Sequence, residues 1–249
     1  MANKIFQQLY HKDQEYNVSF IIPARNEEGN IEKIIPSIPK FGRSQEFIFI
    51  EGGSKDKTLE KINKQIIKYA NSKTKIIGTK QRGTGKADAV WQGLKKATGD
   101  ILIIYDADRT VPAHELVKFY KALSTNKGQF ANGNRLLYPM ETGAMQTLNK
   151  FANQIFSFLF TWILGQNFTD TLCGTKVFWR HDFKKFKRSK TDPFGDFDLI
   201  FGAIRNNLKV VEIPVHYKER VYGSTNINRF YHGILLIKMT ILAFIEFKL

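Results

Sequence analysis

The sequence predicts an α/β fold with a mostly parallel sheet and helices on both of its faces. Short apolar runs alternate with segments of helical periodicity along most of the chain. Each of the first four apolar runs ends in a polar or glycine-rich loop. Strands separated by helices favour parallel pairing through right-handed crossovers. The 249 residues are enough for one such domain with a C-terminal tail.

The apolar runs that are bounded by turn residues predict the strands. They are Val18 to Pro23, Glu46 to Glu51, Lys75 to Gly78, the run after Gly99, Phe130 to Arg135, Val177 to Trp179 and Lys209 to Val215. Helical periodicity predicts helices between them. They include one from Ile31, one from Pro112 to Leu123, a long helix or helix pair from Met140 to Leu164, one ending at Asn206 and one over Phe230 to Phe247.

The composition limits the partners and the compartment. A formal net charge of +15 favours an anionic partner, which is nucleic acid, phospholipid or a phosphate-bearing substrate. The single cysteine, Cys173, excludes an intramolecular disulfide, and the start Met1 to Lys4 lacks the apolar segment of a secretion signal. Both observations favour the cytosol. No uncharged apolar run reaches the roughly 18 to 20 residues that cross a bilayer.

Two carboxylates follow the fourth apolar run. Asp106 and Asp108 stand at the carboxyl end of this strand, where open α/β sheets bind ligands. Two like charges at this spacing are costly unless a cation neutralises them, and a hard divalent cation that also binds a diphosphate fits the pair. The alternative is a solvated loop in which the aspartates cap a helix.

The neighbouring loops carry further candidates. Gly52 to Ser54 and Gly83 to Gly85 allow close backbone approach to a phosphate, although each alone is more typical of a tight turn. Lys86 and Arg135 follow as candidate phosphate ligands. Neither glycine loop has the P-loop spacing.

The last part of the chain is basic and then apolar. Eight of the fifteen residues from Lys176 to Lys190 are Lys, Arg or His, which indicates a solvated face or a contact with an anionic surface. The segment Phe230 to Phe247 is too short and too interrupted to cross a membrane. It packs on the domain or lies in a membrane interface.

The order of motifs resembles the family 2 glycosyltransferases with the Rossmann-like GT-A fold, nearest to the polyprenyl-phosphate (dolichol-phosphate) sugar synthases. The resemblance covers roughly Val18 to Phe247. The segments that carry it are Ile22 to Glu27, Glu51 to Thr58, Gly85 to Asp100, Asp106 to Asp108 and Arg220 to Ser224. Each segment alone is weak, but five in the family's order are specific.

The resemblance implies a role for each matching residue. Asp106 and Asp108 would bind Mg²⁺ or Mn²⁺ on the donor diphosphate, and Asp108 would thereby be catalytic. Arg220, also catalytic, would steady phosphates together with Arg135. The nucleotide pocket would be lined by Pro23, Asn26, Glu27 and Glu51, with Lys86 near it.

The chemistry agrees with these roles. Breaking a sugar–diphosphate bond needs charge stabilisation on the leaving group, which a metal ion and arginines supply. A phosphate acceptor is already an anion and needs no general base, whereas a sugar hydroxyl needs one. Asp196 is then the candidate base and Asp198 the second. Both also fit simple capping of the helix that follows.

The sequence departs from the family's pattern at three places. Glu51-Gly52 stands where paired aspartates are usual, Thr110 where a glutamine is familiar, and Asn226 near a frequent lysine. These departures concern base recognition, the metal's ligands and the phosphate acceptor, respectively.

The resulting hypothesis is a metal-dependent, inverting glycosyltransferase that moves a sugar from a GDP- or UDP-sugar to a polyprenyl phosphate or a lipid-linked glycan, in cell-surface polysaccharide or glycoconjugate synthesis. Residues 1–226 would form the catalytic domain, and residues 227–249 an amphipathic helix in peripheral contact with the inner face of the cell membrane. The alternatives are a nucleotidyltransferase that makes sugar nucleotides, and a basic nucleic-acid or membrane-binding module. We expect no nucleic acid partner, because no groove-reading element is present.

Overall fold

A computed structural model describes residues 16–138, 147–223 and 229–249, apart from residues 71, 73, 190 and 193. Within them lies a seven-stranded sheet flanked by helices, so the predicted α/β class is confirmed. The strands are β1 (Asn17–Ala24), β2 (Ser44–Glu51), β3 (Lys75–Lys80), β4 (Ile101–Ile104), β5 (Phe130–Asn134), β6 (Lys176–Trp179) and β7 (Val210–Pro214).

Helices connect most of these strands. They are α1 (Glu28–Ser37), α2 (Thr58–Tyr69), α3 (Gly85–Lys96), α4 (Leu116–Ser124), α5 (Thr147–Leu164), α6 (Arg180–Phe183), α7 (Asp196–Arg205) and α8 (Arg229–Lys248). The helix predicted from Pro112 begins later. Pro112 keeps an extended backbone with ψ of 135°, Ala113–Glu115 form a 3₁₀ turn, and α4 starts at Leu116.

The strand order is β3-β2-β1-β4-β6-β5-β7. β6 pairs antiparallel with both β4 and β5, whereas the other neighbours pair in parallel. The reversal follows from the segment after α5. Gln166 accepts a hydrogen bond from the Val210 N–H at the start of β7, which is the amino edge of the sheet. Asp170 accepts one from Arg135 Nε just beyond the end of β5, which is the carboxyl edge. The chain has therefore already returned to the carboxyl edge before β6 begins, and β6 runs away from it.

Apolar side chains fill both faces of the sheet. On one face, Phe20 and Phe47 stack with ring centroids 4.9 Å apart beneath α1, α2 and α4. On the other face, Phe160 of α5 stacks on Phe197 of α7 at 5.2 Å. Full burial of one such phenylalanine stabilises the fold by about 1.5–3 kcal/mol, so these layers hold the strand ends in place.

Helix α8 packs on the second face. Leu236, Met239 and Ala243 are buried against the core, whereas Ile237 and Ile241 on the opposite side of the helix are exposed. Its outer face is thus largely apolar as well. Within the part of the chain that the structure describes, no helix combines the length and the apolar character needed to cross a membrane.

Some predicted features lie outside the described residues. They are the N-terminal residues 1–15, the first part of the long predicted helix (residues 140–146), and residues 224–228, which contain Asn226 and the predicted domain boundary.

Candidate active site

The candidate site lies at the edge where the parallel strands end. The loops after β1, β2, β4, β5 and β7 meet there, because parallel strands point their carboxyl ends the same way. Helix α3 begins at the same edge, and Lys86 is its second residue. The structure therefore brings together the predicted residues of these loops.

Asp106 is paired with Lys86. The Lys86 ammonium lies 2.8 Å from both carboxylate oxygens of Asp106. Partial burial disfavours the charge of Lys86, but attraction to Asp106 and to Asp196 outweighs it and raises the pKa of the ammonium. A side chain at Gly174 would overlap both partners, so the pair sits directly against the Gly174 backbone.

Asp108 is paired with Arg220, which reaches it from the segment after β7. Arg220 Nη2 lies 2.7 Å from Asp108 Oδ2, and Arg220 Nη1 lies 2.9 Å from Glu27 Oε1. The other oxygen of Asp108 accepts hydrogen bonds from the backbone and hydroxyl of Thr110, at 3.1 and 3.0 Å. One guanidinium thus joins the loops after β1, β4 and β7.

Glu27 is a buried carboxylate with an unusual pKa. Burial raises this pKa to about 7, although the hydrogen bond from Asn30 and the charge of Arg220 both favour the ionised form. The Asn30 amide lies 2.7 Å from Glu27 Oε2. The Asn30 amide and the Arg220 guanidinium thus both stabilise the ionised form of Glu27 against burial.

The loops after β1 and β2 form one hydrogen-bonded unit beside these carboxylates. Asn26, with a positive φ of 56°, donates its backbone N–H to Ser54 Oγ and accepts from the Lys55 N–H through its side chain. Glu51 is buried and accepts the Ser54 N–H. Pro23 lies beside Ile50 in the β1–β2 ladder. This arrangement places the four predicted nucleotide-pocket residues together.

Arg135 is engaged by a buried carboxylate. Its Nε and Nη2 lie 2.7 and 2.8 Å from the two oxygens of Asp170, and its guanidinium stacks 5.0 Å from the ring of Tyr217. Asp170 is completely buried. The structure thus places Arg135 at the predicted edge with its guanidinium already used in an ion pair, and its predicted phosphate role stays a prediction.

Asp196 and Asp198 have different surroundings. Asp196 Oδ1 lies 2.8 Å from the ammonium of Lys176, whose side chain is fully buried. Asp198 faces the preceding loop and accepts the Ser189 N–H at 2.9 Å. Burial and the nearby Asp192 raise the pKa of Asp198 to about 7. Of these two aspartates, Asp196 is the one whose negative charge helps to raise the pKa of Lys86.

Sequence reasoning missed two residues of this site. Lys176, a lysine at the start of an apolar strand, was assigned only to a basic face. Tyr222 lies in the segment Arg220 to Ser224 that carries the resemblance, but no role is predicted for it; its ring packs on Gly29 of α1. The signal that could have found Lys176 is its position in an apolar strand, because a lysine that is buried there needs a carboxylate partner.

The carboxylates fit the divalent cation that the resemblance implies. Asp106 and Asp108 offer oxygen ligands, which Mg²⁺ and Mn²⁺ prefer, and both now hold cations of the chain itself. Among the described residues no group of three acidic, histidine or cysteine side chains could hold a metal. Further ligands would therefore come from the donor's phosphates and from water, as is usual for Mg²⁺.

Comparison with protein families assigns the class. Residues 19–200 match the model of glycosyl transferase family 2. The chain therefore belongs to this family, and the protein is a glycosyltransferase. The family predicted from the sequence is confirmed, and it excludes both the nucleotidyltransferase and the non-enzymatic module.

Two curated relatives are similar to this chain over most of its length. A dolichyl-phosphate beta-glucosyltransferase of Saccharomyces cerevisiae is 29% identical over 238 residues, covering 86% of this chain and 70% of the yeast protein. Glycosyltransferase AglJ of Haloferax volcanii is 28% identical over 214 residues, covering 85% of this chain and 66% of AglJ. The chain spans about two thirds of the length of these relatives. They support the predicted likeness to polyprenyl-phosphate sugar synthases.

A solved structure supports the fold. Glucosyl-3-phosphoglycerate synthase from Mycobacterium tuberculosis, in complex with Mn²⁺ and uridine-diphosphate-glucose, superposes with a TM-score of 0.64 at 18% identity. The match covers 95% of this chain and 82% of that one. This similarity shows the GT-A fold that the resemblance implied.

Proposed function

We propose that this glycosyltransferase is metal-dependent and inverting, and that it transfers a sugar from a nucleoside diphosphate to a polyprenyl phosphate at a membrane surface. The observation that carries the proposal is the pairing of Asp106 with Lys86 and of Asp108 with Arg220 at the carboxyl edge of the sheet. Two carboxylates that can bind a metal ion and two cationic side chains that can bind phosphate oxygens are the groups that a metal-bound diphosphate needs.

The donor site follows from these residues. Hydrogen bonds that join Asn26 and Glu51 to the loop after β2 fix the wall against which a nucleoside would lie. A bound Mg²⁺ or Mn²⁺ would supply Lewis-acid stabilisation of the diphosphate leaving group. Lys86 and Arg220 lie close enough to this position to hold negative charge that develops as the sugar–oxygen bond breaks.

The surroundings of Asp196 favour a phosphate acceptor. Accepting a proton on Asp196 would leave the Lys176 ammonium buried without its counter-charge, which is strongly unfavourable. Asp196 is therefore poorly suited to serve as a general base. A lipid phosphate is already an anion and attacks the anomeric carbon without one, opposite the leaving diphosphate, so the configuration inverts.

Two helices provide a surface for the membrane. Many of the outward side chains on the described parts of α5 and α8 are apolar: Ile155, Phe158, Trp162, Ile234, Ile237, Ile241, Phe244 and Ile245 are exposed. Trp162 and Phe244 stack across the two helices at 5.9 Å. Lys248 lies over the Trp162 ring, and Lys238 is exposed on α8. An apolar face with cations fits the interface of an anionic bilayer at the cytoplasmic side.

A transfer assay tests the function. The full chain is incubated with UDP-glucose or GDP-mannose, Mn²⁺ and undecaprenyl or dolichyl phosphate, and labelled sugar is measured in the lipid phase. Asp108→Asn should lower kcat/KM at least about 100-fold, because the leaving group loses charge stabilisation. The product's anomeric configuration, read by NMR, should be opposite to the donor's.

A matched carboxylate serves as the control. Glu60 on α2 is exposed and pairs with Lys64 one turn further along the same helix, so Glu60→Gln should keep the wild-type rate. Full activity of Asp108→Asn, or of the chelator-treated enzyme, would contradict the metal dependence. Transfer to a lipid-linked glycan but not to a lipid phosphate would contradict the proposed acceptor.

A further inference from the structure

The segment after β7 crosses the site and ends on helix α1. We call residues 215–223 the crossing segment. The Val215 N–H donates to the Asn134 carbonyl, and the Lys218 N–H donates to the Thr110 carbonyl, each at 2.9 Å. These two backbone bonds direct the segment past the loop that holds Asp108, and they bring Arg220 over the carboxylates.

Tyr222 fixes the far end of the crossing segment. A Cβ atom at Gly29 would lie 2.6 Å from Cδ2 and 2.9 Å from Cγ of Tyr222, so the ring occupies the space that any side chain at this position of α1 would need. The Tyr222 hydroxyl also contacts Glu28 and lies 3.5 Å from Asp56 Oδ2, the latter a marginal hydrogen bond. Ring packing on Gly29, with these hydroxyl contacts beside it, holds the segment two residues beyond Arg220.

Both oxygens of Asp108 accept hydrogen bonds in this arrangement. Oδ2 accepts from Arg220, and Oδ1 accepts from Thr110. Arg220 also neutralises Glu27, whose other oxygen accepts from Asn30. A divalent cation that binds Asp108 must compete with a guanidinium already in place.

We propose that Tyr222 is a positioning residue that holds Arg220 against Asp108, where the guanidinium neutralises the carboxylate as a divalent cation would. Binding of the cation at Asp108 then displaces Arg220, so that the two events are one exchange. The inference rests on the proposed function, because it takes Asp108 as a metal ligand. In the exchange, Arg220 leaves a carboxylate just when a phosphate-bearing ligand arrives to receive it. The cation and the ligand's phosphate thereby favour each other's binding.

The test measures Mn²⁺ binding to the full chain without any sugar donor, through the EPR signal of free Mn²⁺. Arg220→Gln removes the competitor, so the Kd for Mn²⁺ should fall about fivefold, the size expected for one partly exposed ion pair. Tyr222→Ala changes no charge but releases Arg220, so the Kd should fall by a smaller factor. Tyr222→Phe keeps the ring and should bind Mn²⁺ as wild type does.

A second charge variant distinguishes the exchange at Asp108 from the general electrostatic effect of removing one positive charge near the site. Lys218 lies in the same crossing segment and is exposed, and Lys218→Gln removes the same unit of charge. Its Kd should stay within twofold of wild type. An equal decrease in Lys218→Gln and Arg220→Gln would overturn the exchange, as would an unchanged or weaker affinity in both Arg220→Gln and Tyr222→Ala.

Binding with UDP present distinguishes this inference from the proposed function. Wild type should bind Mn²⁺ more tightly with UDP, whereas Arg220→Gln should lose most of this gain because the freed guanidinium is missing. If wild type binds no Mn²⁺ with or without UDP, the metal-dependent function itself fails. If wild type binds Mn²⁺ but the variants do not differ from it, only the exchange fails. Thermal melting confirms that each variant is folded.

Discussion

The ammonium of Lys176 lies 2.8 Å from Asp196 Oδ1, and the lysine side chain is fully buried. The same ammonium donates to the Cys173 carbonyl at 2.5 Å. Two acceptors thus hold one buried cation beside the candidate site. The pair neutralises the carboxylate that the sequence offers as a general base.

This pairing predicts that the double variant Asp196→Asn with Lys176→Met, which leaves no buried charge unpaired, is tolerated in transfer to a lipid phosphate. Its kcat/KM should stay within about fivefold of wild type, because no proton is removed from the acceptor, whereas loss of a general base costs about 10²–10⁴-fold. Initial rates between pH 6 and 9 give the measurement. A large decrease confined to kcat, with a lost pH dependence, would restore Asp196 as a base. Asp196→Asn alone should lower the melting temperature, because it leaves the Lys176 ammonium buried without its counter-charge.

The ion pair of Arg135 with Asp170 predicts a structural cost. Arg135→Gln should lower the free energy of unfolding by about 3 kcal/mol, because the buried Asp170 carboxylate would lose its bidentate ion pair with the guanidinium. Urea unfolding measures this loss, and Asp170→Asn should show a loss of similar size. If Arg135→Gln instead leaves stability intact and raises the KM for the lipid phosphate, Arg135 is the phosphate ligand that the resemblance implies.

The pKa of Asp198 predicts a pH dependence of stability. Burial, and then Asp192, raise this pKa from 3.8 to about 7. The folded state therefore binds the proton more tightly than the unfolded chain, so this contribution to the free energy of unfolding is complete below about pH 4 and falls as the pH rises to about 7. Its size is on the order of 4 kcal/mol at most.

Urea unfolding at pH 5 and pH 8 measures this effect. Asp198→Asn should reduce the difference between the two pH values, since the amide cannot ionise, and Glu60→Gln should leave the difference unchanged. The part that remains should come from Glu27, whose pKa is also raised to about 7. An unaltered difference in Asp198→Asn would contradict the assignment.

The outer face of α8 predicts membrane binding. Ile237→Asp and Ile241→Asp place charges on exposed apolar positions, so each should reduce co-flotation with vesicles that contain anionic lipid. Ile67 is an equally apolar and more exposed side chain on α2, on the other face of the sheet, and Ile67→Asp should not change flotation. Equal losses in all three variants would indicate a general effect of charge, and no loss in any would contradict the surface.

Local sequence patterns predict much of the fold. The strand predicted at Val18 to Pro23 is Asn17–Ala24, and the helix predicted at Phe230 to Phe247 is Arg229–Lys248. These agreements arise because apolar periodicity reflects which face a segment buries. The antiparallel direction of β6 was not predicted, since it depends on where the chain stands after α5 rather than on the residues of the strand.

The sequence by itself determined the family and the carboxylates of the site, because Asp106 and Asp108 must follow their strand and strand ends gather at one edge of a parallel sheet. Only the tertiary structure decided which cation each carboxylate holds. Arg220 is 112 residues from Asp108, and Lys176 is 20 residues from Asp196. Such pairs form where elements distant in the sequence meet at the same edge of the sheet, and no local periodicity encodes that meeting.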